Sequence, residues 1–210
     1  MKLKICGMKY EGNIQAVSNL KPDYLGFIFH KKSSRFFDQV IPKIPSNIKK
    51  TGVFVNSNLI EIKKKIILHD LQAIQLHGSE SAEFCKNLKT EFGQNLEIIK
   101  VFSIKDEFNF DILQPYEAYV DFFLFDTKGK LPGGNGVTFN WNVLKNYVSK
   151  KPFFLSGGIG LETVSKLKDF MRSNASKYCY ALDVNSKFEI VPGMKHIETL
   201  KQFKEQIKAY

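Results

Sequence analysis

The chain has 210 residues, 43% hydrophobic and 25% charged, a globular composition that excludes disorder and collagen-like structure. No apolar run approaches the roughly 20 residues of a membrane span, and Met1 leads directly into Lys2-Leu3-Lys4-Ile5-Cys6 without the apolar stretch and cleavage site of a leader, so a cytoplasmic protein with no membrane partner is expected. The net charge of +10, from 31 basic and 21 acidic residues, permits nucleic-acid binding and equally suits a small phosphorylated substrate.

Charge distribution decides between those two. The lysines are scattered along helix-like segments, as at Lys63-Lys64-Lys65, Lys195, Lys201, Lys204 and Lys208, which reads as a solvated surface and not as a nucleic-acid site. Cys6, Cys85 and Cys179 are too few and too widely spaced for a disulfide framework or a zinc site. Free thiols are expected.

In chain order, apolar, β-branched or aromatic runs recur at Leu3 to Cys6, Tyr24 to Phe29, Gly52 to Val55, Ala73 to His77, Ile98 to Phe102, Phe122 to Asp126, Phe153 to Ser156 and Cys179 to Val184. Each reads as a strand. Successive starts lie 21 to 31 residues apart, too far for hairpins and suited to a strand, two loops and a crossover helix, so parallel pairing is implied. Helical stripes fall between them: Ile14, Val17 and Leu20; Leu59, Ile62 and Ile66; Val164, Leu167 and Met171; Ile197, Leu200, Phe203 and Ile207. Ser79, followed by Glu80 and Glu83, reads as a helix start, with Phe84 and Leu88 facing inward. Pro42 and Pro45 limit any helix after the second strand, and Phe108 to Tyr116 leaves room only for a short one.

Eight such units averaging about 26 residues predict one single-domain (β/α)8 TIM barrel over residues 1–210. An open doubly wound sheet would carry a Gly-rich turn after its first strand, where this chain has only Cys6-Gly7-Met8.

In a barrel, chemistry sits at the C-terminal ends of the strands. Cys6 ends the first strand, and alternation places Lys4 on its face, where a cation favours thiolate. Asp126 closes the apolar run Phe122-Phe123-Leu124-Phe125, an environment that favours the protonated carboxyl a general acid requires. The stretch from Thr127 to Gly136 is the longest loop-like segment and resembles a substrate-covering loop. Ser156-Gly157-Gly158-Ile159-Gly160 precedes a helical stripe, where backbone N–H groups can approach an anion, and Asn185-Ser186 follows the eighth strand; together they suit phosphate. Arg35 could grip a carboxylate. His77 reads first as a hydrogen-bonded strand end and second as a catalytic group. No cluster has metal-ligand spacing and no dinucleotide fingerprint is present, so neither a metal nor a cofactor is implied.

These stretches together resemble the phosphoribosylanthranilate isomerase family of tryptophan biosynthesis over nearly the whole chain. The resemblance rests on Lys4-Ile5-Cys6-Gly7-Met8, Gly26-Phe27-Ile28-Phe29-His30 with Ser34-Arg35, Gly52-Val53-Phe54-Val55-Asn56, Gln75-Leu76-His77-Gly78, Asp126-Thr127-Lys128, Leu131 to Gly136, Phe154 to Ile159 and Asp183-Val184-Asn185-Ser186. It implies a (β/α)8 barrel that performs an Amadori rearrangement without metal, cofactor or obligate protein partner. It implies further that Asp126 is the general acid, Cys6 the general base and Arg35 the ligand of the anthranilate carboxylate, with Gly157, Gly158, Asn185 and Ser186 around the phosphate. The chain departs from the family pattern at Lys187, where a glycine is common, and at Met194-Lys195-His196. A histidine-pathway sugar isomerase would carry an aspartate in place of Cys6. A non-catalytic RNA-binding barrel is opposed by the joint presence of Cys6, Asp126 and Arg35.

Overall fold

The computed structural model describes residues 1–127 and 138–208. In chain order its elements are β1 (Lys2–Ile5), α1 (Glu11–Ser18), β2 (Tyr24–Ile28), β3 (Lys49–Phe54), α2 (Leu59–His69), β4 (Ala73–Leu76), α3 (Ala82–Phe92) and β5 (Glu97–Ile104). There follow β6 (Phe122–Thr127), β7 (Phe153–Leu155), α4 (Val164–Met171), β8 (Cys179–Val184), β9 (Glu189–Val191), β10 (Met194–Lys195) and α5 (Ile197–Ile207). Strands β1 to β8 pair in sequence order, all parallel, and β8 returns to β1 with Lys4 opposite Asp183 and Ile5 opposite Val184. The result is a closed (β/α)8 TIM barrel, as the spacing predicts.

Side-chain alternation sorts each strand into two faces. Leu3 and Ile5 of β1, Leu25 and Phe27 of β2 and Phe123 and Phe125 of β6 join the large core between barrel and helices. The helical stripes meet them there through Ile14 and Val17, Ile62 and Ile66, Cys85 and Leu88, Val164 and Leu167, and Leu200, Phe203 and Ile207. The opposite face fills the barrel: Tyr24, Ala73, Ile99, Phe122, Leu124, Phe154 and Ala181 form a second cluster. Rings of Tyr24 and Phe154 meet edge-on at 5.3 Å, as do those of Phe122 and Phe154. These side chains fill the lower barrel, and the pocket opens at its C-terminal mouth.

Differences from the expected elements have local causes. Residues 29–48, with Pro42 and Pro45, form turns and extended chain in place of a helix. Phe37 covers the gap, packing edge-on at 5.1 Å to Phe27. Among the described residues, the connections after β5 and before β7 hold 3-10 turns, at Phe110–Tyr116 and Trp141–Asn146. Helix α3 begins later than Ser79: Ser81 is its cap and accepts from Phe84 N–H at 3.1 Å. Ser79 instead donates its N–H to Asn56 Oδ1 at 2.7 Å. The β9–β10 hairpin was not readable, because three residues against two show no period; Gly193, at φ +91°, makes its turn.

Candidate active site

Residues at and just beyond the C-terminal ends of β1 to β4 and β6 to β8 converge on one pocket at the barrel mouth. Cys6, Arg35, Asp126, Gly157, Gly158, Asn185 and Ser186, the seven residues singled out from sequence, all line it. So do Gln75, His77, Asp183 and Lys187. The stretch 128–137, which holds most of the expected substrate-covering loop, lies outside the described residues.

Cys6 is buried on the rim side of β1, and β2 makes room for it: a Cβ on Gly26 would stand 2.7 Å from the sulfur. Beneath it Lys4, with no exposed surface, donates to Asp183 Oδ1 at 2.8 Å. Burial disfavours the Lys4 charge, but Asp183 and Cys6 outweigh it and push the ammonium pKa up. The shift at Cys6 runs against the expected thiolate. Burial, aided by the Asp183 charge, pushes the thiol up from its ordinary value and outweighs the opposing pull of Lys4 and Lys195. Cys85 and Cys179 lie outside the pocket, and burial pushes both thiols up to about 12. All three are free.

Asp126 is 8% exposed. Thr127 N–H donates to its Oδ1 at 2.9 Å, and His77 Nε2 stands 3.5 Å from its Oδ2. The other imidazole nitrogen, Nδ1, is 3.0 Å from Gln75 Nε2. Acid and base candidates thus rise from β6 and β1 into one space.

At the rim, Arg35 makes a forked pair with Glu189: Nε to Oε1 at 2.9 Å and Nη2 to Oε2 at 2.7 Å. Glu189 also accepts from Lys195 Nζ at 2.8 Å and from Gly193 N–H at 3.0 Å. Burial opposes the Glu189 charge, yet Arg35 and Lys195 hold its carboxyl below the usual range. Lys195 is 1% exposed and also donates to Asn185 Oδ1 at 2.6 Å, which corrects the reading of this lysine as solvated surface. The hairpin turns its side chain inward, and Glu189 neutralises a charge that could not otherwise be buried. Lys187 reaches Glu162 at 2.6 Å, so the departure from the family's glycine adds a cation to the pocket wall.

Gly157 and Gly158 have φ of +87° and +64°. A Cβ on Gly157 would lie 2.1 Å from Thr127 Oγ1, so this turn excludes other residues by both conformation and contact. Sequence reasoning singled out neither Asp183 nor Glu189 as site residues. Asp183 had a usable signal, its parity with Asn185 at a strand end, whereas Glu189 and Lys195 depend on the unread hairpin. Among the described residues, no group of three His, Cys, Asp or Glu side chains could hold a metal ion, and no helix is long and apolar enough to cross a membrane.

Residues 3–206 match the model of the family described as N-(5'phosphoribosyl)anthranilate (PRA) isomerase. The chain is 38% identical to the N-(5'-phosphoribosyl)anthranilate isomerase of Parabacteroides distasonis over 213 residues, covering 99% of this chain and 93% of the relative. It superposes on the crystal structure of phosphoribosyl anthranilate isomerase from Thermotoga maritima with a TM-score of 0.81 at 26% identity, all of both chains being covered. A further structure, of a phosphoribosyl anthranilate isomerase in complex with reduced 1-(o-carboxyphenylamino)-1-deoxyribulose 5-phosphate, matches over both full chains with a TM-score of 0.78 at 25% identity. With a family model matched over almost its whole length and the pocket at the mouth of the barrel, the chain belongs to the N-(5'-phosphoribosyl)anthranilate isomerase family.

Proposed function

We propose that residues 1–210 act as one domain that converts N-(5-phosphoribosyl)anthranilate into 1-(2-carboxyphenylamino)-1-deoxyribulose 5-phosphate, a step of tryptophan biosynthesis, with Asp126 as acid and Cys6 as base. The observation that carries this reading is that a buried carboxyl and a buried thiol line the same pocket from different strands. Asp126 gives its proton to the furanose ring oxygen as the C1′–O bond breaks, and the anilino nitrogen lone pair forms the iminium. Cys6, as thiolate, then removes the proton from C2′, and the electron pair passes into an enolamine that tautomerises to the ketone. The iminium makes the C2′ proton more acidic, which helps a base whose thiol is pushed up by burial.

The two anionic ends of the substrate suit the rim. Arg35, held in plane by Glu189, faces the pocket at one end for the carboxylate. At the other, the Gly157–Gly158 turn, Asn185 and Ser186 suit the phosphate, with Lys187 beside them. The reduced product analogue bound by the related isomerase has the same two ends. The direct test is growth of an isomerase-deficient tryptophan auxotroph on this gene, together with conversion of the phosphoribosylanthranilate by purified protein. Failure of both overturns the reading.

A further inference from the structure

If Asp126 is the acid, it leaves each ring opening as a carboxylate and must regain a proton before the next. One neighbouring side chain is placed to return it. His77 lies on the pocket wall with Nε2 3.5 Å from Asp126 Oδ2. Other charges face this region from the packed strands: Asp183 on β8, and Lys100 on β5. Asp183 is held by Lys4 at 2.8 Å. Lys100 donates to the carbonyl of Gly78 at 2.8 Å and pairs with Glu80 at 3.0 Å. Each of these has its own partner, and among the described residues Asp126 is the acidic group paired with the imidazole.

The wiring behind the ring is specific. Gln75 is buried within the barrel, with its Nε2 3.0 Å from His77 Nδ1 and its Oε1 buried without a hydrogen-bond partner among the described residues. With the amide NH2 turned to the ring, Nδ1 accepts, and the single ring proton of neutral histidine sits on Nε2, facing Asp126. When the ring carries a second proton, both nitrogens donate. A half-turn of the same amide then presents Oε1 to Nδ1–H, using the atom that is otherwise left unpaired at a cost. Gln75 therefore matches both proton states of His77 without moving its backbone.

We propose that His77, steered by Gln75, restores the proton of Asp126 after each ring opening. The inference rests on Asp126 being the acid. In the step, the Nε2–H bond of the imidazolium breaks and an Oδ2–H bond forms on Asp126. His77 is left neutral with its remaining proton on Nδ1, donated to the turned amide Oε1 of Gln75; Nε2 then recovers a proton from solvent at the pocket mouth, and loss of the Nδ1 proton returns the resting Nε2–H form, while Cys6 returns to solvent the one taken from C2′. His77 acts through Asp126 and is a positioning residue for the acid.

The test is the pH profile of kcat for His77→Gln, whose amide still reaches Asp126 but cannot carry a proton. The alkaline limb should move at least one pH unit toward acid and kcat at pH 8 should fall at least tenfold, with KM within threefold; a wild-type limb and kcat overturn the proposal. His77→Asn serves if the first variant does not fold. Ring-nitrogen NMR on the resting wild-type protein, which needs no turnover, should show the neutral His77 protonated at Nε2, with that preference lost in Gln75→Leu. A proton on Nδ1 overturns the wiring even if the enzyme is active. Absence of turnover in the wild type, with the nitrogen result as expected, overturns the assigned reaction and leaves the wiring standing.

Discussion

Arg35 and Glu189, 154 positions apart in the chain, meet in a forked ion pair at the rim of the pocket. The guanidinium is thereby held on the β2 side of the mouth by a residue of the β9–β10 hairpin. A flexible arginine loses rotamer freedom when it grips a ligand; one already fixed by a carboxylate has lost much of it beforehand.

Removing the guanidinium should affect one end of the ligand only. Arg35→Ala is expected to weaken an anthranilate-bearing product analogue tenfold or more, about 1.4 kcal/mol, and to change the affinity of a simple pentose phosphate less than twofold. Calorimetric titration of both ligands checks this, and equal weakening contradicts the assignment.

Glu189 carries a second load, since it is also the counter-ion of Lys195. Glu189→Ala would leave an ammonium in a site with almost no solvent, and breaking a buried pair from one side typically costs about 3–5 kcal/mol. Denaturant unfolding should show a loss of that order. A double variant with Lys195→Met should recover part of it, because the stranded charge is then gone.

The raised thiol of Cys6 has a direct chemical readout. Alkylation by iodoacetamide should be slower at pH 7 than for an ordinary thiol and should still be accelerating above pH 9, since only thiolate reacts. Cys6→Ser should retain the fold and lose several orders of magnitude in turnover, whereas alanine at Cys85 or Cys179 leaves catalysis largely intact. Near wild-type turnover in Cys6→Ser would remove the thiol from the mechanism.

Asp126→Asn preserves the shape of the proposed acid without its proton. Binding of a substrate analogue should stay within about tenfold, or 1.4 kcal/mol, while turnover falls by most of its value. Loss of activity explained wholly by lost binding would place the acid elsewhere.

Away from the pocket, His69 predicts an acid-sensitive fold. Its ring is buried and stacks on Phe29 at 5.0 Å, and neither ring nitrogen has a hydrogen-bond partner among the described residues. Burial, with help from Lys65 and Lys50, lowers its pKa to about 4. Between that value and the ordinary 6.5, the unfolded chain binds a proton that the folded protein refuses, so stability falls as pH drops through this window. About 2 kcal/mol should be lost between pH 7.5 and 5. Urea midpoints measure it, and His69→Phe should flatten this part of the profile.

Strand positions and the parity of their side chains were legible because eight apolar runs at even spacing leave little choice of fold, and parity alone aims Cys6 and Asp126 into the barrel. The resemblance supplied their roles. The upward shift of Cys6 was not legible: Lys4 two residues away favours thiolate, but burial, to which the close approach of Gly26 contributes, and the charge of Asp183 oppose it, and both neighbours are distant in sequence. Lys195 looked like any surface lysine, since its inward turn depends on a hairpin too short to leave a pattern. His77 and Gln75 were visible as a strand end, but which nitrogen faces Asp126 is a matter of distances alone.

Strand β1 has its two neighbours at opposite ends of the chain, β2 close by and β8 far away. During synthesis at 5–20 residues per second, roughly 10 to 35 s separate the emergence of Cys6 from that of Val184. Through that interval the Lys4 ammonium has no Asp183, the barrel seam is open, and the thiol is as accessible as any cysteine of an unfinished chain. The nascent polypeptide therefore passes through a stage in which the sulfur proposed as the base is its least protected, and an electrophile or oxidant present during translation would reach it more readily than one that meets the finished fold.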